Sequence, residues 1–131
     1  DSIFPGFVLQ QMQRVPADAS LASVLPDECF VVFTCDQCPD CTRCVDPAVE
    51  ALSAVQSTPT VVADVGALRE WKVSTHPARA APFGVSGVPS VVKWRAGAVA
   101  GVLGQELEKA RDAAAATSVV QAWLATLRNE R

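Results

Sequence analysis

The chain has 131 residues, half of them apolar, with a formal net charge of −3 and a pI near 5.0. That length supports one domain with a real core and is short for two. No Lys/Arg cluster suggests a nucleic-acid footprint, and no apolar run approaches the ~20 residues of a membrane-spanning helix.

Asp1-Ser2-Ile3-Phe4-Pro5-Gly6 shows no basic segment followed by an apolar stretch, so no secretory leader is expected in it. Residues 1–29 are the hardest to read. Phe7-Val8-Leu9 suggests a strand, Ala17 to Leu25 a short helix capped by Asp18 or Ser20, and Pro26-Asp27 a turn. Cys29-Phe30-Val31-Val32-Phe33-Thr34 is an apolar, β-branched and aromatic run of strand length, in which Cys29 reads as a small buried hydrophobe.

Cys35, Cys38, Cys41 and Cys44 follow at a strict three-residue period and account for four of the five cysteines. Such crowding is a poor layout for stapling distant parts of a secreted fold, so reduced thiols in a cytoplasmic compartment are expected. From Asp46 to Gln56, Val45, Val49, Leu52 and Val55 recur at helical spacing. The order strand, Cys-x-x-Cys, helix puts Cys38 at a helix N-terminus, where free N–H groups and the helix dipole favour an anion. Cys41 then lies one turn inside. Cys38 is the candidate nucleophile and Cys41 the resolving thiol. Pro39 stiffens the loop between them. Asp40 either opposes a thiolate or is simply a solvated residue that the dipole favours.

Thr60 to Val65 reads as an interior strand parallel to the first. Trp71 is expected in the loop after it, bordering the site, and Asp64 at its end either approaches the cysteines or caps. Ser74-Thr75-His76-Pro77 resembles a cap before a short helix over Ala78 to Phe83, so His76 reads as a capping residue. Gly87 to Trp94 holds the next strand, Arg95-Ala96-Gly97 a hairpin turn, and Val99 to Leu103 its antiparallel partner. Glu106 to Ala115 has high helix propensity. Thr117-Ser118 is expected to cap a last helix, with Val119, Val120, Trp123, Leu124 and Leu127 as its apolar stripe. Trp94 and Trp123 read as core. The expected fold is α/β: a parallel β-α-β unit plus an antiparallel hairpin in one mixed sheet, flanked by helices, as a single domain over 1–131.

Cys38-Pro39-Asp40-Cys41, Asp64-Val65-Gly66, Trp71-Lys72, Arg79 and Val85-Ser86-Gly87-Val88-Pro89 together resemble the thioredoxin superfamily. The resemblance is closest to the small cytosolic thioredoxin-related proteins of the thioredoxin domain-containing protein 17 type, over about residues 30–101. It implies a thioredoxin fold and dithiol/disulfide exchange on protein or small-molecule disulfides, with no cofactor beyond the Cys38–Cys41 pair. An external reductase or low-molecular-weight thiol would recycle a monomeric protein. It also implies a cis Val88–Pro89 bond, Pro89 against the active-site sulfurs, and Val88 and Trp71 contacting substrate.

Three departures accompany the resemblance. Gln37 stands where tryptophan usually precedes the first cysteine, only Cys35-Asp36-Gln37 separates strand from motif, and Val32 holds the place of a buried aspartate. Cys35 and Cys44 are incidental or regulatory thiols. Two other readings compete: a metal or iron–sulfur site on Cys35, Cys38, Cys41 and Cys44, although zinc sites draw ligands from separated segments, and a redox-inactive interaction domain.

Overall fold

Strand β2, Glu28–Asp36, is the centre of the fold. Both of its faces are apolar, so it must be covered on both sides, and Phe30, Val31, Val32 and Phe33 are all at most 2% exposed. Beside it lie β3 (Thr60–Ala67), parallel, and β4 (Ser90–Arg95), antiparallel. β1 (Met12–Pro16) adds in parallel to β3, and β5 (Ala98–Leu103) in antiparallel to β4, for a sheet order β1-β3-β2-β4-β5. This arrangement comes from a computed structural model that describes residues 12–36, 38–54 and 58–129. The expected strand at Phe7–Leu9, and Gln37 and Val55, fall outside those residues.

Helices cover both faces. α1 is Leu21–Val24, α2 Pro39–Ser53, α3 Leu68–Trp71, α4 Gln105–Glu108 and α5 Ala113–Asn129, with a 3₁₀ turn at Pro77–Arg79. α2 and α5 pack together. Phe30 meets Trp123 of α5 edge-on at 5.9 Å between ring centroids, so that face of β2 lies under the α2–α5 layer. On the other face Phe33 meets Phe83 at 5.5 Å, and Phe83 stacks on Trp94 at 5.0 Å. The alternation of β2 thus feeds two separate aromatic clusters.

Several expected boundaries move. The motif helix begins at Pro39 and passes through Pro47 as one element. An N1 proline suits a helix start, whereas Pro47, inside the helix, removes a backbone bond and crowds the carbonyl of residue 43. The expected helix at Ala17–Leu25 shrinks to α1, because Ala17 N–H donates to the Asp64 carbonyl at 2.8 Å and stays with the sheet. Asp18 Oδ1 accepts from Ser20 N and Oγ at 2.9 and 2.7 Å instead of capping α1 directly.

The Ala78–Phe83 helix is only the 3₁₀ turn, capped as expected by His76, whose Nδ1 accepts from Ala78 N at 3.1 Å. Glu106–Ala115 is broken in two: Leu107 and Ala110 are buried, and Asp112 Oδ1 accepts from Ala115 N at 2.8 Å. The last helix therefore starts at Ala113 and not after Thr117-Ser118. Among the described residues no helix is long and apolar enough to cross a membrane.

Candidate dithiol site

Cys38 is the N-cap of α2, with an extended backbone (φ −97°, ψ 116°) that turns the chain out of β2 and into the helix. Its carbonyl accepts from Thr42 N at 3.0 Å and from Thr42 Oγ1 at 3.2 Å, which closes the first turn. Cys38 remains 8% exposed, against 3% for Cys41 and 0% for Cys44. The order of exposure matches one thiol at the rim and one behind it.

Cys41 sits beneath the end of β2. The Cys35 N–H donates to Cys41 Sγ at 3.3 Å. Burial pushes the Cys41 thiol up to about 12, a contact with Cys38 acts in the same direction, and the donors from Cys35 and the Thr34 side chain work against it. Cys41 is therefore a protonated, sheltered thiol within hydrogen-bonding reach of Cys38. Cys29, fully buried in β2, is likewise pushed up to about 11 by burial. Val32, also on β2, is 0% exposed.

The second wall is the loop before β4. The pairing of β4 with β2 ends at Ser90, opposite Phe33. The Val88–Pro89 bond is cis, as is Ala81–Pro82. Gly87 precedes them, and a Cβ there would collide with the Glu108 carboxylate. Glu108 thus lies against this loop, its carboxyl held above the usual range by burial and then by the charge of Asp40.

The Asp40 side chain is both solvent-exposed and paired. Its Oδ1 takes a 2.6 Å ion pair from Arg43 Nη2 one turn along α2. Arg43 also donates from Nε to the Ala110 carbonyl at 2.8 Å and from Nη2 to the Glu108 carbonyl at 3.4 Å. The Cys44 thiol donates to the same Ala110 carbonyl at 3.7 Å, and burial raises its pKa. Sequence inspection missed Arg43. The only signal was an Asp/Arg pair at i, i+3 in the motif helix, and such pairs are common on helix surfaces.

Other expected site residues lie elsewhere. Trp71 ends α3 and is 4% exposed, not in an open loop: the Arg79 guanidinium lies 3.9 Å above its ring and His76 packs edge-on at 5.3 Å. Asp64 accepts from Gly66 N at 2.9 Å and pairs with Arg14 at 3.6 Å. His76 also places Nε2 at 2.8 Å from the Val65 carbonyl, so both of its nitrogens hold backbone. Among the described residues no three His, Cys, Asp or Glu side chains gather where they could hold a metal ion. Sequential spacing does not bring the four cysteine sulfurs to one point.

A sequence model described as "Thioredoxin domain-containing protein 17-like, thioredoxin domain" matches residues 30–111, which takes in β2, the motif, the Val88–Pro89 loop and α4. The chain belongs to this family. Among solved structures it is similar to a mutant thioredoxin from Halobacterium salinarum, at 24% identity over 86% of this chain and 89% of that one, TM-score 0.51. It is also similar to the reduced thioredoxin pre-protein of Schistosoma mansoni, at 19% identity over 86% of this chain and 97% of that one, TM-score 0.54. Both likenesses show a thioredoxin fold. No curated protein sequence matched the chain. In this thioredoxin-fold protein the motif, the cis-proline loop and the segment after β5 converge at one end of the sheet.

Proposed function

We propose that the protein is a thiol–disulfide oxidoreductase that reduces protein or small-molecule disulfides. The supporting observation is the ordered pair: Cys38 at the helix cap, the less buried of the two, with Cys41 one turn behind it, protonated and hydrogen-bonded from β2. The Cys38 thiolate attacks one sulfur of a substrate disulfide. A Cys38–substrate mixed disulfide forms, and the other substrate sulfur leaves as a thiolate that takes up a proton. Cys41 then loses its proton and attacks Cys38 Sγ, so the Cys38–Cys41 disulfide forms and the second substrate thiol departs. Two electrons have moved from the dithiol to the substrate.

An external reductase or low-molecular-weight thiol restores the dithiol, and no cofactor enters the cycle. In this reading Pro89 borders the sulfurs, and the Val88 backbone pairs with an extended substrate strand. The same reading makes the protein a monomer that works in a reducing, cytoplasmic setting, where thiols stay reduced. Cys35 contributes a backbone N–H, and Cys44 anchors Ala110; neither is an exchanging thiol. A Cys44→Ser variant should therefore give wild-type oxidation products, and altered products would overturn that assignment.

The deciding experiment is a reduction assay on a model protein disulfide, run with Cys38→Ser and Cys41→Ser. Cys38→Ser should abolish turnover, and Cys41→Ser should accumulate a mixed disulfide at Cys38. Retention of turnover in Cys38→Ser, or trapping at any other cysteine, would overturn the assignment.

A further inference from the structure

We propose that Arg43 is an electrostatic positioning residue for the nucleophile: it neutralises Asp40, so the acid inside the Cys38-Pro39-Asp40-Cys41 motif does not oppose the Cys38 thiolate. The proposal rests on the dithiol reading above.

Asp40 stands in the first turn of α2, two residues from Cys38. An anion there gains from the helix dipole, yet it also competes with the thiolate for the same positive end. The 2.6 Å contact from Arg43 Nη2 changes that balance. Arg43 is not a mobile surface cation, because its Nε is fixed to the Ala110 carbonyl at 2.8 Å and Nη2 also reaches the Glu108 carbonyl at 3.4 Å. Three acceptors on two segments hold the guanidinium, two of them carbonyls from the chain beyond β5. The planar fork of arginine suits this, whereas an ammonium group does not.

Among the described residues, four other titratable groups are tied to this corner. From α2 they are Cys41, which contacts it, and Cys44, which feels the charges of both Asp40 and Cys38. From the α4 side they are Glu108, which feels Asp40, and Lys109, which offsets Glu108. Removing Arg43 would leave the Asp40 carboxylate, two residues from the nucleophile, without its ion-pair partner.

The test is the pH profile of Cys38 alkylation in the reduced protein, read by peptide mapping, in the wild type, R43Q, R43K, D40N and the R43Q/D40N double variant. R43Q should alkylate about three- to tenfold more slowly near pH 7 and converge with the wild type in strong alkali, since one pKa unit is a tenfold change in thiolate. R43K keeps the charge and should stay within about twofold. In the double variant the R43Q deficit should vanish.

An unchanged R43Q profile, or a double variant as slow as R43Q itself, overturns the proposal. Should R43Q not fold, D40N carries the test: with Arg43 left uncompensated it must alkylate faster than the wild type below pH 8, and an unchanged rate overturns the proposal. Alkylation needs no disulfide substrate, so failure of the oxidoreductase reading would appear separately, as absent turnover by the wild type.

Discussion

The backbone N–H of Cys35 points at the Sγ of Cys41, 3.3 Å away, across the junction where β2 gives way to the motif. Cys41 thus has neutral hydrogen-bond donors beneath it. The Thr34 side chain is the second donor, and both lower the cost of a Cys41 thiolate that burial otherwise holds back.

Thr34→Val should therefore slow the resolving step. Thr34 is 5% exposed, and valine has nearly its shape. The hydroxyl alone is lost, at about 1 kcal/mol for a typical hydrogen bond and somewhat more when the acceptor is charged. The lifetime of the Cys38 mixed disulfide should lengthen about three- to tenfold, with the first attack unchanged. Rapid quench with acid and mass analysis would show it. Equal lifetimes in both proteins would remove Thr34 from the proton handling of this site.

Reduced protein should lose stability in alkali. Unfolded thiols release their protons around the ordinary value of 9.0, whereas burial keeps the Cys29 proton to about 11 and the Cys41 proton to about 12. Between these limits the unfolded chain binds fewer protons, so unfolding gains. The contribution is complete below about pH 9 and is lost as pH rises through the folded values. Tm measured from pH 7 to 10.5 should fall more steeply for reduced than for oxidised protein, because a Cys38–Cys41 disulfide has no Cys41 proton to lose. Cys29→Ala should flatten both curves.

Arg79→Ala should cost about 1–3 kcal/mol in denaturant unfolding and shift Trp71 fluorescence to the red. The guanidinium stacks 3.9 Å over the Trp71 ring and donates from Nε to the Trp71 carbonyl at 2.8 Å, so one substitution removes a cation–π contact and a charged hydrogen bond and opens the ring to water. Arg79→Lys should recover only part of this, because an ammonium cannot both stack and reach the carbonyl. Full recovery by lysine would mean that charge alone matters here.

Local pattern revealed the elements that local chemistry determines. The strand at Cys29–Thr34, the turn at Arg95-Ala96-Gly97 and the Cys-x-x-Cys at a helix start are each specified by adjacent residues, and the sheet that joins them follows. The sheet's edge strand β1 was not legible, because Gln13, Arg14 and Pro16 carry no alternating apolar signal and the strand exists through pairing with β3. Glu106–Ala115 looked continuous because alanine and glutamate favour helix. The break lies where Leu107 and Ala110 must turn inward and Asp112 recaps.

At the site, the two active cysteines were legible and their electrostatic surroundings were not. Arg43 acts on Asp40 through carbonyls 65 and 67 residues away in sequence, at Glu108 and Ala110. Trp71 is buried by an arginine eight residues on. Tertiary partners of that kind leave no local spacing to read.

The β4–β5 turn carries a correctable strain. Ala96 has φ +52° and Gly97 φ +81°, the paired positive values of a type I′ hairpin turn. Glycine adopts that region freely, while alanine there costs roughly 1 kcal/mol. Asparagine tolerates the left-handed region and leads the Asn-Gly pair most common in such turns. Ala96 is exposed, and its N–H is already bonded to the Asp27 carbonyl at 2.8 Å, so a larger side chain meets only solvent. Ala96→Asn should therefore stabilise the protein by about 0.5–1 kcal/mol. Gly97→Ala, placed at φ +81°, should destabilise it by about 1 kcal/mol or more. Urea midpoints at constant m-value would measure both, and the same sign for the two substitutions would show that φ at this turn does not govern the hairpin.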